Sequence, residues 1–142
     1  MTASIRYEDA PPGTRLPAQS FSVTRSTLVR YAGASGDFNP IHWNDAFAQR
    51  VGLPGVIAHG MFTMTEAIRV VTDWAGDPGA VIEYGVRFTK PVVVPNDDTG
   101  ALIEVSAVVG QQLADRRVRV DITATSAAQK VLGAARAIVQ LT

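Results

Sequence analysis

An acid and a base, Asp37 and His42, lie five positions apart in a segment whose other residues favour a tight turn. Asn39 favours a local hydrogen bond from its side chain to the backbone, while Pro40 fixes its own φ and keeps Asn39 out of the helical region. Such a turn can bring a carboxylate and an imidazole onto one water molecule, as general acid–base catalysis requires. Ordinary solvated turns use the same residue types, so a purely structural role stays open.

The elements before this turn are predicted from capping residues and from periodicity. A short strand covers Phe21 to Val23, where apolar and polar residues alternate. A helix follows that either Thr24 or Ser26 can cap, and it runs towards Gly36. This helix delivers the chain into the segment that holds Asp37.

Two further helices are predicted after the turn. Asn44 is a good N-cap for a short helix that closes at Gly52. A long helix starts at His59-Gly60, because apolar residues then recur every three or four positions, at Met61, Met64, Ile68 and Val71. Gly60 has no side chain, which leaves room for a ligand to approach the free backbone N–H groups at the start of this helix.

From residue 79 onward the pattern is typical of β-strands. We predict strands over 81–89, 100–110, 116–125 and 130–141, separated by turn residues. Helices early and strands late, without a βαβ rhythm, indicate an α+β fold with an antiparallel sheet. One long apolar helix beside about five strands predicts a sheet curled around that helix.

Composition excludes several functional classes. The chain has 142 residues, 46% hydrophobic, and its 13 basic residues balance 13 acidic ones, which argues against nucleic acids and anionic membranes as partners. There is no cysteine, no nucleotide-binding glycine motif, no signal-peptide pattern and no apolar run of membrane-spanning length. His42 and His59 are 17 positions apart without a metal-ligand pattern around them. We therefore expect a cytoplasmic protein of one domain, with no cofactor and no metal.

Two segments carry a resemblance to a known family: Tyr-Ala-Gly-Ala-Ser-Gly-Asp-Phe-Asn-Pro-Ile-His-Trp-Asn at 31–44 and Ile-Ala-His-Gly-Met at 57–61. They resemble the signature of the MaoC-like, R-specific enoyl-thioester hydratases and dehydratases. Residues 83–92 and 94–97 fit a later strand and turn of the same family, so the similarity covers most of the chain. Within the family, the chain is most similar to the catalytic B subunits of (3R)-hydroxyacyl-ACP dehydratases. Asn44 departs from the pattern, because relatives often carry Asp there.

This resemblance implies a fold and an assembly. The fold is a single hot-dog domain over residues 1–142, in which the antiparallel sheet wraps around a central helix, Gly60–Ala75. Hot-dog subunits join their sheets edge to edge, so the resemblance implies a homodimer or a heterodimer with a homologous hot-dog subunit. The acyl thioester, carried on CoA or on acyl carrier protein (ACP), lies in a crevice at that junction.

The resemblance also implies roles for particular residues. Asp37 and His42 hold a water at C3 of a trans-2-enoyl thioester and transfer the proton, while the Gly60 N–H stabilises the thioester oxyanion. Asn39 and His59 orient the reacting groups, and which of Asp37 and His42 carries the transferred proton stays open. Substrate contacts are expected at Met61, Phe47 and Ile57, and the residues that limit acyl length are expected at Phe47, Val51, Leu53, Ile57 and near Trp74.

Two other functions compete with hydration. A hot-dog thioesterase would use a carboxylate on the central helix, and Glu66 is available there. Alternatively, the chain is a non-catalytic acyl-thioester-binding subunit of a heterodimer. The thioesterase leaves the turn from Asp37 to His42 unexplained, and the non-catalytic subunit does not need it.

Overall fold

An antiparallel sheet is the largest element of the computed structural model, which describes residues 3–142. The strand order is β1-β3-β4-β6-β2, with β5 paired to β4, and all of these pairs are antiparallel. Because β2 is last in this order, one of its edges has no strand partner among the described residues. The strands are β1 (Gln19–Val23), β2 (Val81–Phe88), β3 (Ala101–Leu113), β4 (Arg117–Ser126), β5 (Gln129–Lys130) and β6 (Leu132–Gln140).

One long helix, α3 (Gly60–Ala75), packs against the inner face of this sheet and contacts β2, β3, β4 and β6. Its buried face consists of Thr63, Ala67, Val70, Val71 and Ala75. The predicted α+β class and the bounds of the central helix are confirmed. None of the helices in residues 3–142 combines the length and the apolar character needed to cross a membrane.

Two short helices flank the predicted catalytic turn, α1 (Arg25–Ser35) and α2 (Asp45–Arg50). Of the two expected capping residues, Thr24 is the one that caps α1, because its hydroxyl accepts the N–H of Thr27. Asn44 caps α2 as predicted, and its side-chain oxygen accepts the N–H of Phe47 at 3.0 Å. Both helices therefore begin at residues predicted to cap them.

An ion pair ties these two helices together. The Arg25 guanidinium contacts the Asp45 carboxylate at 2.7 Å, and the same carboxylate accepts the N–H of Val56 at 3.2 Å. The hydrogen bond from Arg25 lowers the pKa of Asp45. The segment that leads into α3 is thereby anchored to α1 and α2.

The sheet departs from the predicted strands in two places. β3 continues past Gly110 to Leu113 because a bulge between Val109 and Gln111 lets the pairing resume. A Cβ at Gly110 would meet the Asp121 carboxylate, which would have to turn away to make room for it. The two-residue strand β5 was not predicted, and it raises the count from about five strands to six.

Candidate functional site

The turn between α1 and α2 is built by consecutive hydrogen bonds from side chain to backbone. α1 ends at Gly36, which has the left-handed φ of 75° that glycine tolerates best. The Asp37 carboxylate then accepts the N–H of Asn39 at 3.1 Å, and the Asn39 side chain accepts the N–H of Ile41 at 3.2 Å. Pro40 opens a single 3₁₀ turn that ends at His42. Asn39 thus shapes the turn that carries the acid and the base.

This turn brings the acid and the base together. Asp37 Oδ2 lies 3.7 Å from His42 Nε2, and the two side chains are 50% and 7% exposed. Nδ1 of His42 lies 2.7 Å from the carbonyl oxygen of Ile57, and since a carbonyl only accepts, Nδ1 carries the proton. In the neutral ring, Nε2 is then an acceptor that faces Asp37. At 3.7 Å the two groups are too far apart to hydrogen-bond to each other, so both stay available to a third molecule.

A second imidazole, that of His59, completes the cluster. Its ring stacks on the His42 ring with centroids 3.8 Å apart, and it also packs against the ring of Tyr31 at 4.7 Å. His59 is 1% exposed, and its Nε2 donates to the carbonyl oxygen of Asp37 at 3.1 Å. The side chain does not cap α3. His59 is therefore a buried hydrogen-bonding residue that holds the backbone of the turn at Asp37.

Burial lowers the pKa of His59, and the neighbouring His42 adds to that effect, while contacts with Asp37 oppose it. The folded protein therefore keeps His59 neutral at a pH where an unfolded histidine, with a pKa of 6.5, takes up a proton. This contribution to stability is fully present above pH 6.5 and is lost as the pH falls through the lowered pKa.

We therefore expect the free energy of unfolding to fall between about pH 8 and about pH 5, and to fall less in His59→Gln. Urea titrations of both proteins at the two pH values measure this difference. Glutamine can still donate a hydrogen bond to the Asp37 carbonyl but does not titrate. An equal loss of stability in both proteins would show that protonation of His59 does not contribute.

The three side chains open into a crevice of about 490 Å³. One of its walls forms where residues 88–94 run alongside residues 56–60: the Ala58 N–H donates to Val92 O, and the Val94 N–H donates to Val56 O, both at 2.9 Å. Gly60, the first residue of α3, lies on this crevice, and a Cβ there would stand 3.1 Å from the Phe88 ring. The rest of the lining is mostly apolar and includes Ile41, Ile57, Ala58, Met61, Val92, Val131 and Leu132.

The crevice is lined by six of the residues expected at the site. They are the four polar or backbone candidates Asp37, His42, His59 and Gly60 and the expected substrate contacts Ile57 and Met61.

Phe47, an expected substrate contact, does not line this crevice, and its role stays a prediction. α2 buries Ala48, while the Phe47 ring lies 5.1 Å from the guanidinium of Arg50. Val51, Leu53 and Trp74, expected to set the acyl length, do not line it either. Residues 88–92 and 131–132 build the wall of this crevice.

Asp37, His42 and His59 each place one potential metal-ligand atom within 4.8 Å of the others. Their geometry does not suit a metal ion. The two imidazole planes lie nearly parallel, 22° apart, so their nitrogen lone pairs, which lie in the ring planes, do not converge on one point. Nε2 of His59 is also engaged with the Asp37 carbonyl. The absence of a metal stays a prediction.

Comparison with known proteins supplies the family. The model of the MaoC like domain matches residues 8–128. The chain belongs to the MaoC-like domain family. A solved structure of a MaoC-like dehydratase superposes on 99% of this chain with a TM-score of 0.95 and 37% identity. The unliganded R-hydratase PhaJ1 from Pseudomonas aeruginosa superposes on 99% of this chain and 89% of its own, with a TM-score of 0.81 and 25% identity. These likenesses confirm the hot-dog fold.

Two curated relatives are both named as dehydratases, and this chain covers different shares of their lengths. The 3-hydroxyacyl-thioester dehydratase X of Mycobacterium tuberculosis is 41% identical over 97 residues, which are 65% of this chain and 34% of that protein. The 3-hydroxybutyryl-CoA dehydratase of Methylorubrum extorquens is 33% identical over 96 residues, 67% of this chain and 58% of that protein. The chain thus spans about a third of the first relative, and 43% of the superposed MaoC-like dehydratase.

Proposed function

We propose that this chain catalyses the reversible syn hydration of trans-2-enoyl thioesters, and in reverse the dehydration of (3R)-3-hydroxyacyl thioesters. The substrates are carried on CoA or ACP and belong to fatty acid or polyketide-type metabolism. One observation carries the proposal: a carboxylate and an imidazole face each other across 3.7 Å in a largely apolar crevice beside the first residue of a long helix. Relatives named dehydratase and R-hydratase support the reaction type.

The chemistry requires an acid–base pair and a site for negative charge. Asp37 and His42 hold one water at C3, and water's oxygen bonds to C3 while a proton from the pair reaches C2 on the same face. As the C3–O bond forms, the electrons of the double bond move towards the thioester, whose oxygen becomes negative until C2 is protonated. The Gly60 N–H, free at the start of α3, donates to that oxygen. The apolar walls around Ile57 and Met61 contact the acyl chain.

The position of Glu66 argues against the alternative that this chain is a thioesterase. Its carboxylate pairs with Arg69 at 2.8 Å and does not line the crevice. Incubation with crotonyl-CoA separates the two reactions, because hydration removes the conjugated enoyl absorbance and hydrolysis releases a free thiol. We expect loss of absorbance without thiol release, and we expect Glu66→Gln to hydrate at a rate within about twofold of the wild type. Thiol release that disappears in Glu66→Gln would establish the thioesterase instead.

We further propose that residues 1–142 act as one MaoC-like hot-dog domain that pairs with a second one. The free edge of β2 and the exposed side chains of Ile82 and Phe88, 46% and 53% exposed, support pairing along this strand. Analytical ultracentrifugation tests whether the chain pairs with itself. A protein that is inert alone and hydrates crotonyl-CoA only when mixed with a homologous hot-dog chain would support the non-catalytic or heterodimeric alternative.

A further inference from the structure

Thr63 stands three residues after Gly60, on the buried face of α3, and it lines the same crevice. It is 3% exposed. Side chains on a helix lean towards its N-terminus and cover the preceding turn, so a residue three positions after Gly60 lies over the turn that contains Gly60. A group bound at the Gly60 N–H is therefore close to Thr63.

The Thr63 hydroxyl is the unusual one among the threonines of α3. Thr65 donates to the carbonyl of Met61 at 2.8 Å, and Thr72 donates to that of Arg69 at 3.2 Å. Within residues 3–142, the Thr63 hydroxyl makes no hydrogen bond, although Thr63 is nearly fully buried. A buried hydroxyl without a partner is costly, so such a group needs an explanation.

The accessibility of this hydroxyl supplies the explanation. In the described part of the chain, His59 Nδ1 is the side-chain polar atom that is both fully enclosed and without a partner. The Thr63 oxygen also lacks a partner but is not fully enclosed, and the space that Thr63 borders is the crevice. A molecule in the crevice can therefore reach the hydroxyl.

We infer that the Thr63 hydroxyl donates a second hydrogen bond to the thioester oxygen, beside the one from the Gly60 N–H. This inference rests on the proposed hydration. One backbone donor satisfies only one of the two lone pairs of that oxygen, and the charge on it grows in the transition state. The hydroxyl transfers no proton; it stabilises the charge and remains a neutral alcohol. In the free enzyme the group faces the crevice and is already in place.

Thr63→Val keeps the branched shape and removes the donor, Thr63→Ser keeps the donor, and Thr65→Val is the matched control on the exposed face of the same helix. We expect Thr63→Val to lower kcat for crotonyl-CoA by at least about tenfold with little change in KM. Thr63→Ser and Thr65→Val should stay within about threefold of the wild type. Thermal unfolding verifies that each variant is folded.

A second measurement does not depend on turnover. The absorbance of 4-(dimethylamino)cinnamoyl-CoA moves to longer wavelength when its carbonyl is polarised, and we expect the shift on binding to be smaller in Thr63→Val than in the wild type. An unchanged shift together with an unchanged kcat overturns the inference, and so does a rise in KM alone. If the wild-type protein shifts the probe's spectrum but does not hydrate crotonyl-CoA, the proposed function is wrong. The spectrum of the probe bound to Thr63→Val would still decide whether Thr63 contacts the thioester oxygen. A wild type that produces no shift would overturn the inference.

Discussion

Asp37→Asn is expected to lower kcat/KM for hydration of crotonyl-CoA by about 10²- to 10⁴-fold, because an amide cannot exchange a proton with water or with C2. The substitution preserves the turn. Its side-chain oxygen can still accept the Asn39 N–H, the bond that the Asp37 carboxylate makes at 3.1 Å. The melting temperature should therefore stay close to that of the wild type. The loss of hydration activity should be seen in the absorbance assay and not in thermal unfolding.

Two controls separate chemistry from structure. Asp98→Asn removes an exposed carboxylate that does not line the crevice, and we expect activity within about twofold of the wild type. His42→Gln should lose activity on the same scale as Asp37→Asn, and the double variant should lose little more than either, since residues that act as one unit are not additive. Asp37→Asn activity within a few-fold of the wild type would remove Asp37 from the mechanism.

The convergence of Asp37 and His42 could be predicted because it is local. Gly36, Asn39 and Pro40 each restrict the backbone within a few residues, so the turn and its direction follow from the sequence of that segment. The bounds of α3 can likewise be predicted, because apolar periodicity marks the helix and Asp77-Pro78-Gly79 breaks the helical pattern just after it. What these predictions share is that no distant segment determines them.

The parts that could not be predicted depend on distant segments. His59 lies on His42 because residues 56–58 pair with residues 92–94 and because the Ile57 carbonyl holds the His42 ring. The crevice wall comes from the same pairing of distant segments, which no local sequence pattern reveals. Thr63 was not singled out, since a threonine on an apolar helix face resembles any other core position until its missing hydrogen bond is seen. In the sequence, the feature that points to Thr63 is its position three residues after Gly60.

Gly60→Ala is expected to lower kcat/KM by about 10²-fold or more, because the new methyl group obstructs the N–H and the loss of one oxyanion contact usually has an effect of this size. A methyl group at residue 60 would stand 3.1 Å from the Phe88 ring, so the ring must move by a few tenths of an ångström. Both Gly60 and Phe88 line the crevice, and the new methyl group lies beside the N–H that the substrate oxygen must reach. Alanine is also the better helix former by about 1 kcal/mol, which opposes the cost of the tight contact. We therefore expect a nearly unchanged melting temperature with a large loss of activity.

The Phe88→Ala background distinguishes the two reasons for a glycine at this position. Phe88 itself lines the crevice, so the double variant is compared with Phe88→Ala alone. If Gly60 serves only to avoid the Phe88 ring, then Gly60→Ala should cost no activity in this background; we expect the loss to persist, because the methyl group would still stand beside the N–H. Gly33→Ala provides the matched control, since Gly33 lies within α1 and a Cβ there meets nothing within 4 Å. That substitution should raise the free energy of unfolding by roughly 1 kcal/mol and leave hydration unchanged. Activity of the Gly60→Ala and Phe88→Ala double variant equal to that of Phe88→Ala alone would show that glycine at residue 60 only avoids the Phe88 ring, because the backbone N–H is present in both proteins.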